Sequence, residues 1–410
     1  MGMPPTLGFE SPTIVLNAVR PALLRAKDLA KRVGARAVRA RDGQTEDRAQ
    51  ASDRALTPNV PPADQPVALR RLGDAHPAPV GPEGRVLPSD SSEHGEEVRT
   101  PTPRGVLASY SALRGMGTIE LRNKVIAISG ASSGIGAATA IACARAGMCV
   151  ALCARREDRL AALVDDIRHA GGRAMSFVAD VSDPAQCQAF VDKTVETFGS
   201  LYAVYANAGY GLEKPILDTT DREMRAIFET NFFGTLNLVR PAAALMLKNQ
   251  ASSDSEPRGH VLICSSCLAR QTLPFYGAYC ATKAAQHHIG RALRLELATQ
   301  SIAVTTVHPI TTRTELFDLV KRKSGIQQLS HESPGWFTQS AESVGDRTVA
   351  CLRKPKTELW PGVRGQLVRL GMTLGSLMPG LTDRALRGMV TKRELAAGDK
   401  PASKAEKAAL

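Results

Sequence analysis

The chain contains few aromatic residues, no long apolar run and no concentrated basic block. Only 18 of its 410 residues are Phe, Trp or Tyr. A membrane-spanning helix needs about 20 mostly apolar residues in succession, and no such run occurs. The net charge is +12, but no cluster of Lys and Arg is interleaved with aromatic side chains, so the charge favours a solvated basic surface over a nucleic-acid site.

The first 115 residues lack the material for a hydrophobic core. They hold 14 of the 25 prolines, two aromatic residues and no cysteine. Residues 41–104 show no apolar periodicity, so burial cannot offset the loss of chain entropy. We predict a disordered arm over 1–115. Two other hypotheses are a transit peptide or surface helix within 13–40, and a start of translation at Met116.

Cysteine usage argues against a secreted protein and against a metal site. The eight cysteines are irregularly spaced and lie mostly inside apolar runs, which indicates a reducing, cytoplasmic compartment. Cys264 and Cys267 have the C-x-x-C spacing of a redox pair or half a zinc site, but no second C-x-x-C completes one. His287, His288 and His308 have no partner cluster at metal-ligand spacing, so no metal is predicted.

From residue 124 onward, short apolar runs alternate regularly with helical stretches. Continuous apolar strands are typical of a parallel sheet buried on both faces, and strand–helix alternation produces right-handed crossovers. The pattern predicts an α/β, doubly wound, Rossmann-type domain over 116–362. A basic, amphipathic and partly helical tail is predicted over 363–410. It could cover the pocket, pair with a second subunit or contact a membrane surface, and packing on the protein itself is the default.

A glycine-rich turn follows the first predicted strand, in 129-SGASSGIG-136. Glycine allows a close approach of the backbone to a diphosphate, and the free N–H groups at a helix start attract anionic oxygens. This position predicts a dinucleotide site. At the end of the second strand, where an NAD enzyme carries an acid, the chain has Arg155 and Arg156. Arg155 is the first candidate to pair a ribose 2′-phosphate and Arg156 the second, so NADP is preferred over NAD.

Two tyrosines compete for the role of acid/base. Hydride transfer to a carbonyl needs a proton donor on its oxygen, and a tyrosine beside a lysine cation can serve. Tyr279 has Lys283 four residues later on the same predicted helix, whereas Tyr276 has Cys280 there. Tyr279 is therefore the candidate, and Tyr276 is interpreted as pocket wall or core.

Several motifs in this order and at these spacings resemble the short-chain dehydrogenase/reductase family in its YxxxK form. They are 129-SGASSGIG-136, 206-ANAG-209, Asn231, Ser266, 279-YCATK-283 and 309-PITTRT-314. The resemblance is close from residue 120 to about 315. One departure is Ile310, where the family commonly has glycine; we expect it to alter the pocket wall without loss of cofactor binding.

The resemblance implies a role for each matching residue. Tyr279 exchanges the proton, Lys283 tunes it and holds the nicotinamide ribose, Ser266 binds the substrate oxygen, and Asn231 anchors a water in a proton relay. Asn237 is a less favoured alternative to Asn231. The implied cofactor-binding set is Gly130, Ser132, Ser133, Gly134, Ile135, Gly136, Arg155, Arg156, Asp180, Val181, Asn207, Ala208, Gly209, Tyr279, Lys283, Pro309 and Thr312.

The sequence thus predicts an NADP-dependent oxidoreductase that interconverts a secondary alcohol and a ketone or aldehyde. The apolar side chains of 310–340 suggest a lid over a hydrophobic substrate. The alternative is a non-catalytic dinucleotide-binding sensor or interaction protein on the same fold. Expected partners are a small carbonyl or alcohol substrate, further copies of the chain, and weakly a membrane surface; nucleic acid is not expected.

Overall fold

The computed structural model describes residues 117–249, 256–329 and 335–398. The predicted arm over 1–115 lies outside them, as do the last twelve residues of the predicted tail. The elements are, in chain order, β1 Val125–Ser129, α1 Gly134–Arg145, β2 Cys149–Ala154, α2 Glu157–His169, β3 Arg173–Val178, α3 Pro184–Phe198, β4 Ala203–Ala206, α4 Asp221–Phe228, α5 Gly234–Lys248, β5 Gly259–Cys264, α6 Gly277–Ala298, β6 Ile302–Val307, β7 Thr312–Arg313, α7 Leu316–Ser324, β8 Gln339–Ser340, α8 Ala341–Arg353, β9 Glu358–Leu359, α9 Gly362–Leu377 and α10 Pro379–Gly398.

Seven of these strands form one parallel sheet in the order β3-β2-β1-β4-β5-β6-β9. The chain runs outward from β1 to β3 and then returns past β1 to β4. The strand order reverses between β1 and β4, and this is where an open α/β sheet places its ligand, beyond the carboxyl ends of the strands. The predicted α/β, doubly wound parallel fold is confirmed.

Side chains of each central strand alternate between two hydrophobic cores. In β1, Ile126 and Ile128 enter one core, while Val125 and Ala127 enter the other. Since both faces of the strand are buried, most positions are apolar, which explains the nearly continuous apolar runs. On the first face, Gly345 of α8 has no room for a side chain, because a Cβ there would lie 2.8 Å from the carbonyl oxygen of Ala138 in α1.

Two parts of the fold differ from the sequence expectation. The single helix expected over 221–248 is divided by a π-helical turn, Glu229–Phe233, between α4 and α5. A seventh sheet strand, β9, follows α8 and pairs with β6 through two residues. A strand this short leaves no readable apolar period, so the six-strand expectation missed it.

The predicted tail is helical where the structure describes it. Helix α9 begins after Pro361, and α10 follows at Pro379. Within the described residues no helix has both the length and the apolarity needed to cross a bilayer.

Candidate active site

A cavity of about 570 Å³ opens at the carboxyl ends of β1, β4, β5 and β6. Its wall includes every predicted cofactor-binding residue except Gly136, and three of the four predicted catalytic residues, Ser266, Tyr279 and Lys283. Asn231 and Gly136 lie outside the lining. The fold therefore brings together residues that are more than 180 positions apart, from Gly130 to Thr312.

The glycine-rich turn leaves open backbone at the start of α1. Gly130 and Gly134 have φ of 64° and 58°, in the left-handed region that favours glycine. A Cβ at Gly136 would lie 2.3 Å from the carbonyl oxygen of Gly130, so only glycine fits there. Ser133, at the N-cap, makes no capping hydrogen bond through its own side chain. The N–H groups and positive dipole end of α1 therefore suit a diphosphate.

Two arginines face the cavity next to this turn. The Arg156 guanidinium donates to Ser133 Oγ at 2.7 Å and to Ser132 Oγ at 3.0 Å, and it forms an ion pair with Glu315 at 2.8 Å. Arg155 lies 3.4 Å from an oxygen of Asp180. Arg156 is thus the arginine that reaches the serines of the glycine-rich turn, whereas the sequence reasoning put Arg155 first.

The turn after β4 is fixed to the end of β1. The Asn207 side chain donates to the carbonyl oxygens of Ser129 at 3.0 Å and Gly130 at 3.3 Å. In return, Ser129 Oγ accepts from the N–H groups of Asn207 and Ala208, both at 3.1 Å. These bonds fix the distance between two turns that face the cavity. Asn207 therefore contributes to the site by positioning the backbone of both turns.

Ser266, Tyr279 and Lys283 converge at one side of the cavity. Ser266 follows β5, and its side chain and that of Tyr279 line the same cavity. Lys283 Nζ lies 5.6 Å from the centre of the Tyr279 ring and donates to the carbonyl oxygen of Cys264 at 2.8 Å. The neighbouring Ser265 points away, since its hydroxyl donates to the main-chain oxygen of Lys283 at 2.8 Å.

Burial shifts the pKa values of both Tyr279 and Lys283. It raises the pKa of the Tyr279 phenol above its ordinary value, and the Ser266 side chain offsets only part of that rise. Burial also lowers the pKa of the Lys283 ammonium group. At neutral pH Tyr279 is therefore a phenol with a proton to donate, the form needed to protonate a carbonyl oxygen during reduction.

Asn231 lies behind the cavity wall and connects three elements. It is fully buried in the π-helical turn. Its side chain accepts from the N–H of Tyr210 at 3.0 Å, and donates to the Tyr210 carbonyl at 2.9 Å and to Thr282 Oγ1 at 3.0 Å. Asn237, the alternative, donates instead to the carbonyl of Val181 at 3.0 Å. Asn231 thus joins the loop after β4 to the helix that carries Tyr279.

Comparison with known proteins agrees with this geometry. A family model for short chain dehydrogenases matches residues 124–324. An A-factor type gamma-butyrolactone 1′-reductase (1S-forming) from Streptomyces virginiae is 34% identical over 215 residues, which cover 52% of this chain and 81% of that relative. The chain belongs to the short-chain dehydrogenase/reductase family. It is accordingly an NAD(P)-dependent oxidoreductase.

Two further comparisons show how much of each protein is shared. A glycine betaine reductase (ATRR) from Emericella nidulans is 33% identical over 236 residues, yet the match spans 58% of this chain and only 18% of that relative. The crystal structure of a 3-ketoacyl-(acyl-carrier-protein) reductase from Brucella melitensis, complexed with NADH, has a TM-score of 0.52 and 25% identity. It covers 60% of this chain and 99% of that structure.

The wall of the cavity of this short-chain dehydrogenase/reductase extends beyond the predicted site residues. Met372 of α9 and Leu386 of α10 line it, so the tail reaches the pocket, which is one of the arrangements that the sequence left open for it. Ile310 is buried against Cys267 and Trp360. The larger side chain, which stands where the family commonly has glycine, is therefore accommodated by packing in this small hydrophobic cluster. Tyr276 also lines the cavity, and its phenol donates to Glu213 at 2.7 Å.

Behind Ser266 lies a buried group that sequence spacing did not suggest. His287, His308 and Glu358 present possible ligand atoms within 4.8 Å of one another. However, His308 Nδ1 donates to the Ser266 carbonyl at 2.9 Å, and Glu358 accepts from Arg270 at 2.5 Å and from Trp360 at 3.0 Å. The atoms of His308 and Glu358 are already hydrogen-bonded, whereas His287 Nδ1 is buried without a hydrogen-bond partner among the residues that the structure describes. The Arg270 cation, bonded to Glu358, opposes a metal ion at this place. Through the hydrogen bond from His308, this group of residues stabilises the backbone at Ser266.

All eight cysteines are free and buried, so the C-x-x-C of Cys264 and Cys267 forms no disulfide. Burial raises the pKa of the Cys264 thiol, and it raises the pKa of the Cys267 thiol to about 11. Neither is a thiolate at neutral pH, so neither is activated as a nucleophile.

Proposed function

We propose that the chain is an NADP-dependent oxidoreductase that interconverts a secondary alcohol and a ketone or aldehyde, with a hydrophobic substrate. The observation that supports this most is the convergence of Ser266, Tyr279 and Lys283 on one cavity, which many apolar side chains also line. A carbonyl oxygen placed between Ser266 and Tyr279 would accept hydrogen bonds from both hydroxyls. These bonds strengthen as negative charge develops on that oxygen.

Each residue then has one task. Tyr279 donates its proton to the substrate oxygen during reduction and takes it back during oxidation. The positive charge of Lys283 stabilises the phenolate that remains, and Ser266 orients the oxygen. The nicotinamide, when bound, supplies or accepts the hydride. The open backbone at the start of α1 would hold the diphosphate, and Lys283 would also reach the nicotinamide ribose.

The preference for NADP is supported by the position of Arg156. Its guanidinium lies against Ser132 and Ser133 and is paired with Glu315, and Arg155 lies nearby. A 2′-phosphate at this place would bring charge-assisted hydrogen bonds from arginine and neutral bonds from the serine hydroxyls. An NAD ribose gains nothing from the same cations, so affinity for NADP should be the higher.

The hydrophobic substrate is supported by side chains from three segments. Leu268 and Leu273 come from the stretch after β5, Val320 from α7, and Met372 from α9. The predicted lid segment contributes Leu316, Phe317, Leu319 and Phe337 as well. Burial of apolar substrate surface against them contributes about 25 cal/mol per Å².

The test is NADPH oxidation against a panel of steroid, retinoid, acyl and small aromatic carbonyls. We expect turnover with at least one large apolar carbonyl, and weaker turnover with small polar ones. Tight NADPH binding without turnover across the panel would contradict the proposal and favour the sensor function.

Assembly into homo-oligomers through α4 and α6 is part of the proposal. It is supported by an apolar hollow of about 330 Å³ at the end of α4, lined in part by Met224, Phe228 and Phe233. Phe233 is 43% exposed, more than a large aromatic side chain usually is. Sedimentation equilibrium of the chain should give a dimer or tetramer, and Phe233→Glu should shift it toward monomer.

The tail is proposed to contact an anionic membrane surface. On α9, five side chains at alternating spacings of four and three residues form an outward apolar stripe: Val363, Leu367, Leu370, Leu374 and Leu377, which are 76%, 64%, 58%, 45% and 74% exposed. The opposite face packs on the protein, through Val368 and Met372 against Trp360. Such spacing places the stripe along one side of the helix.

Charge favours lipid over a second copy as the occupant of this stripe. Helix α9 contains Arg364 and Arg369 and no acidic residue. Arg369 is paired with Glu358 at 3.7 Å, and Arg364 donates to the main-chain oxygen of Thr338. A second copy of this helix would bring no acid to Arg364, whereas anionic headgroups attract basic residues by about 1 kcal/mol each. Because Met372 lines the cavity, the stripe belongs to a helix that also borders the proposed substrate site.

A vesicle experiment tests the membrane contact. Leu367→Glu with Leu374→Glu should lower sedimentation with phosphatidylcholine/phosphatidylglycerol vesicles about tenfold or more, because both apolar contacts are lost. The matched control is Val178→Glu, which changes an exposed apolar side chain at the opposite edge of the sheet, in β3. Equal binding of both variants would reject the contact. A change in oligomeric state alone would assign the stripe to a second copy.

A further inference from the structure

Gln286 is buried within α6, one helical turn after Lys283, and no motif in the sequence indicates that it belongs to the site. Its side chain is 0% exposed. Positions three apart on a helix lie on the same face, so Gln286 stands next to Lys283 on the side that faces the π-helical turn. A buried carboxamide needs partners for both its oxygen and its nitrogen.

The amide of Gln286 has such partners on both sides. Its nitrogen donates to the main-chain oxygen of Asn231 at 2.6 Å and to Thr235 Oγ1 at 2.7 Å. Its oxygen accepts from Lys283 Nζ at 2.9 Å. The orientation is unambiguous, since a carbonyl oxygen can only accept and an ammonium group can only donate.

This arrangement changes the role expected for Asn231. The resemblance implied a water held at Asn231 as part of a proton relay from Lys283. In the structure, the Gln286 carboxamide joins the Asn231 carbonyl directly to the Lys283 ammonium group, and Thr235 Oγ1 donates to the same carbonyl at 2.8 Å. A carboxamide does not exchange protons as a water chain does near neutral pH.

We infer that Gln286 is a positioning residue of the active site: its amide oxygen holds the Lys283 ammonium group beside Tyr279, and its side chain occupies the path between Lys283 and the Asn231 carbonyl. This inference rests on the proposed oxidoreductase function. Lys283 then has two fixed acceptors, Gln286 Oε1 and the Cys264 carbonyl, which use two of its three protons. A proton leaving Tyr279 must take a route other than Asn231.

Among the described residues, the titratable groups that face Lys283 are Tyr279 on its own helix and the Cys264 thiol at the end of β5. Burial raises the pKa of the Cys264 thiol, so it stays neutral in a neutral-pH assay. The positive charge that favours the Tyr279 phenolate therefore comes from Lys283. Anything that weakens the hold on Lys283 should make the phenolate harder to form.

The experiment is the pH profile of kcat/KM for alcohol oxidation by Gln286→Leu, which removes the amide and keeps an apolar side chain of similar length. Oxidation needs the phenolate, so activity is lost as the pH falls. With Oε1 removed, the midpoint of this loss should move to higher pH by about one unit. Binding of NADPH should change little.

The matched control is Thr235→Val. Thr235 is buried in the same cluster and bonds both Asn231 and Gln286, but its hydroxyl makes no bond to Lys283. It should lower the melting temperature without moving the pH midpoint. An unmoved midpoint in folded Gln286→Leu, or an equal shift in Thr235→Val, would overturn the inference.

If Gln286→Leu does not fold, Gln286→Glu takes its place, because it keeps a polar group between the same partners. A carboxylate beside Lys283 counteracts the ammonium charge felt by Tyr279, so the midpoint should again rise by about one unit. An unmoved midpoint in this variant would also overturn the inference. Absence of turnover in the unchanged chain would instead reject the proposed function, and this inference with it.

Discussion

Tyr279→Phe should lower kcat/KM for carbonyl reduction by about 10³-fold, since general acid catalysis contributes about 10²- to 10⁴-fold. The substitution removes one oxygen and keeps the ring that lines the cavity. Affinity for NADPH, measured by fluorescence titration, should change less than about threefold. Steady-state kinetics with the best carbonyl of the panel give the comparison.

The chain offers a matched control three residues earlier. Tyr276→Phe makes the same chemical change in a side chain that lines the same cavity, but the Tyr276 phenol donates to Glu213 instead of meeting Ser266. Its kcat/KM should stay within about tenfold of the parent. Undiminished turnover in Tyr279→Phe, or an equal loss in Tyr276→Phe, would refute the assignment of Tyr279 as the acid.

Replacement of both Arg155 and Arg156 by Gln should weaken NADPH binding by about 100-fold and leave NADH binding nearly unchanged. Each charge-assisted hydrogen bond contributes about 1.5–3 kcal/mol, and about 1.4 kcal/mol is tenfold in affinity. The single variant Arg156→Gln should account for most of the loss. Arg156 is the arginine that reaches Ser132 and Ser133, whereas Arg155 is paired at 3.4 Å with Asp180.

Arg159→Gln is the control for that experiment. Arg159 lies one turn further along α2 and approaches Glu315 at 3.8 Å, so its removal changes the charge of the region without reaching the serines. It should alter NADPH affinity less than about threefold. Equal affinity of the parent chain for NADP and NAD would contradict the proposed preference. Equal losses of NADPH affinity on replacing Arg155, Arg156 or Arg159 would mean that the preference comes from the general positive charge of this region and not from a specific contact of Arg156.

Much of the fold could be predicted from local pattern. Strands such as β1 and β2 are almost entirely apolar because both faces are buried, with Ser129 at the end of β1 as the exception. That signal is independent of distant residues. The strands that pattern missed are the short ones. β9 contains two residues, Glu358 and Leu359, and pairs only with the end of β6. β9 can join the sheet only because α8 brings the chain back to the edge that β6 forms.

For the site, spacing along the chain is enough to predict part of the chemistry. Tyr279 and Lys283 are four residues apart on one helix, and the three glycines stand at one strand-to-helix turn, so neither depends on knowing the fold. Tertiary structure alone decided the long-range contacts. It placed Arg156 rather than Arg155 at the serines, brought Met372 and Leu386 to the cavity, and set Gln286 between Lys283 and Asn231. Those contacts join residues up to about 250 positions apart, and only the packing of the sheet and its helices brings them together.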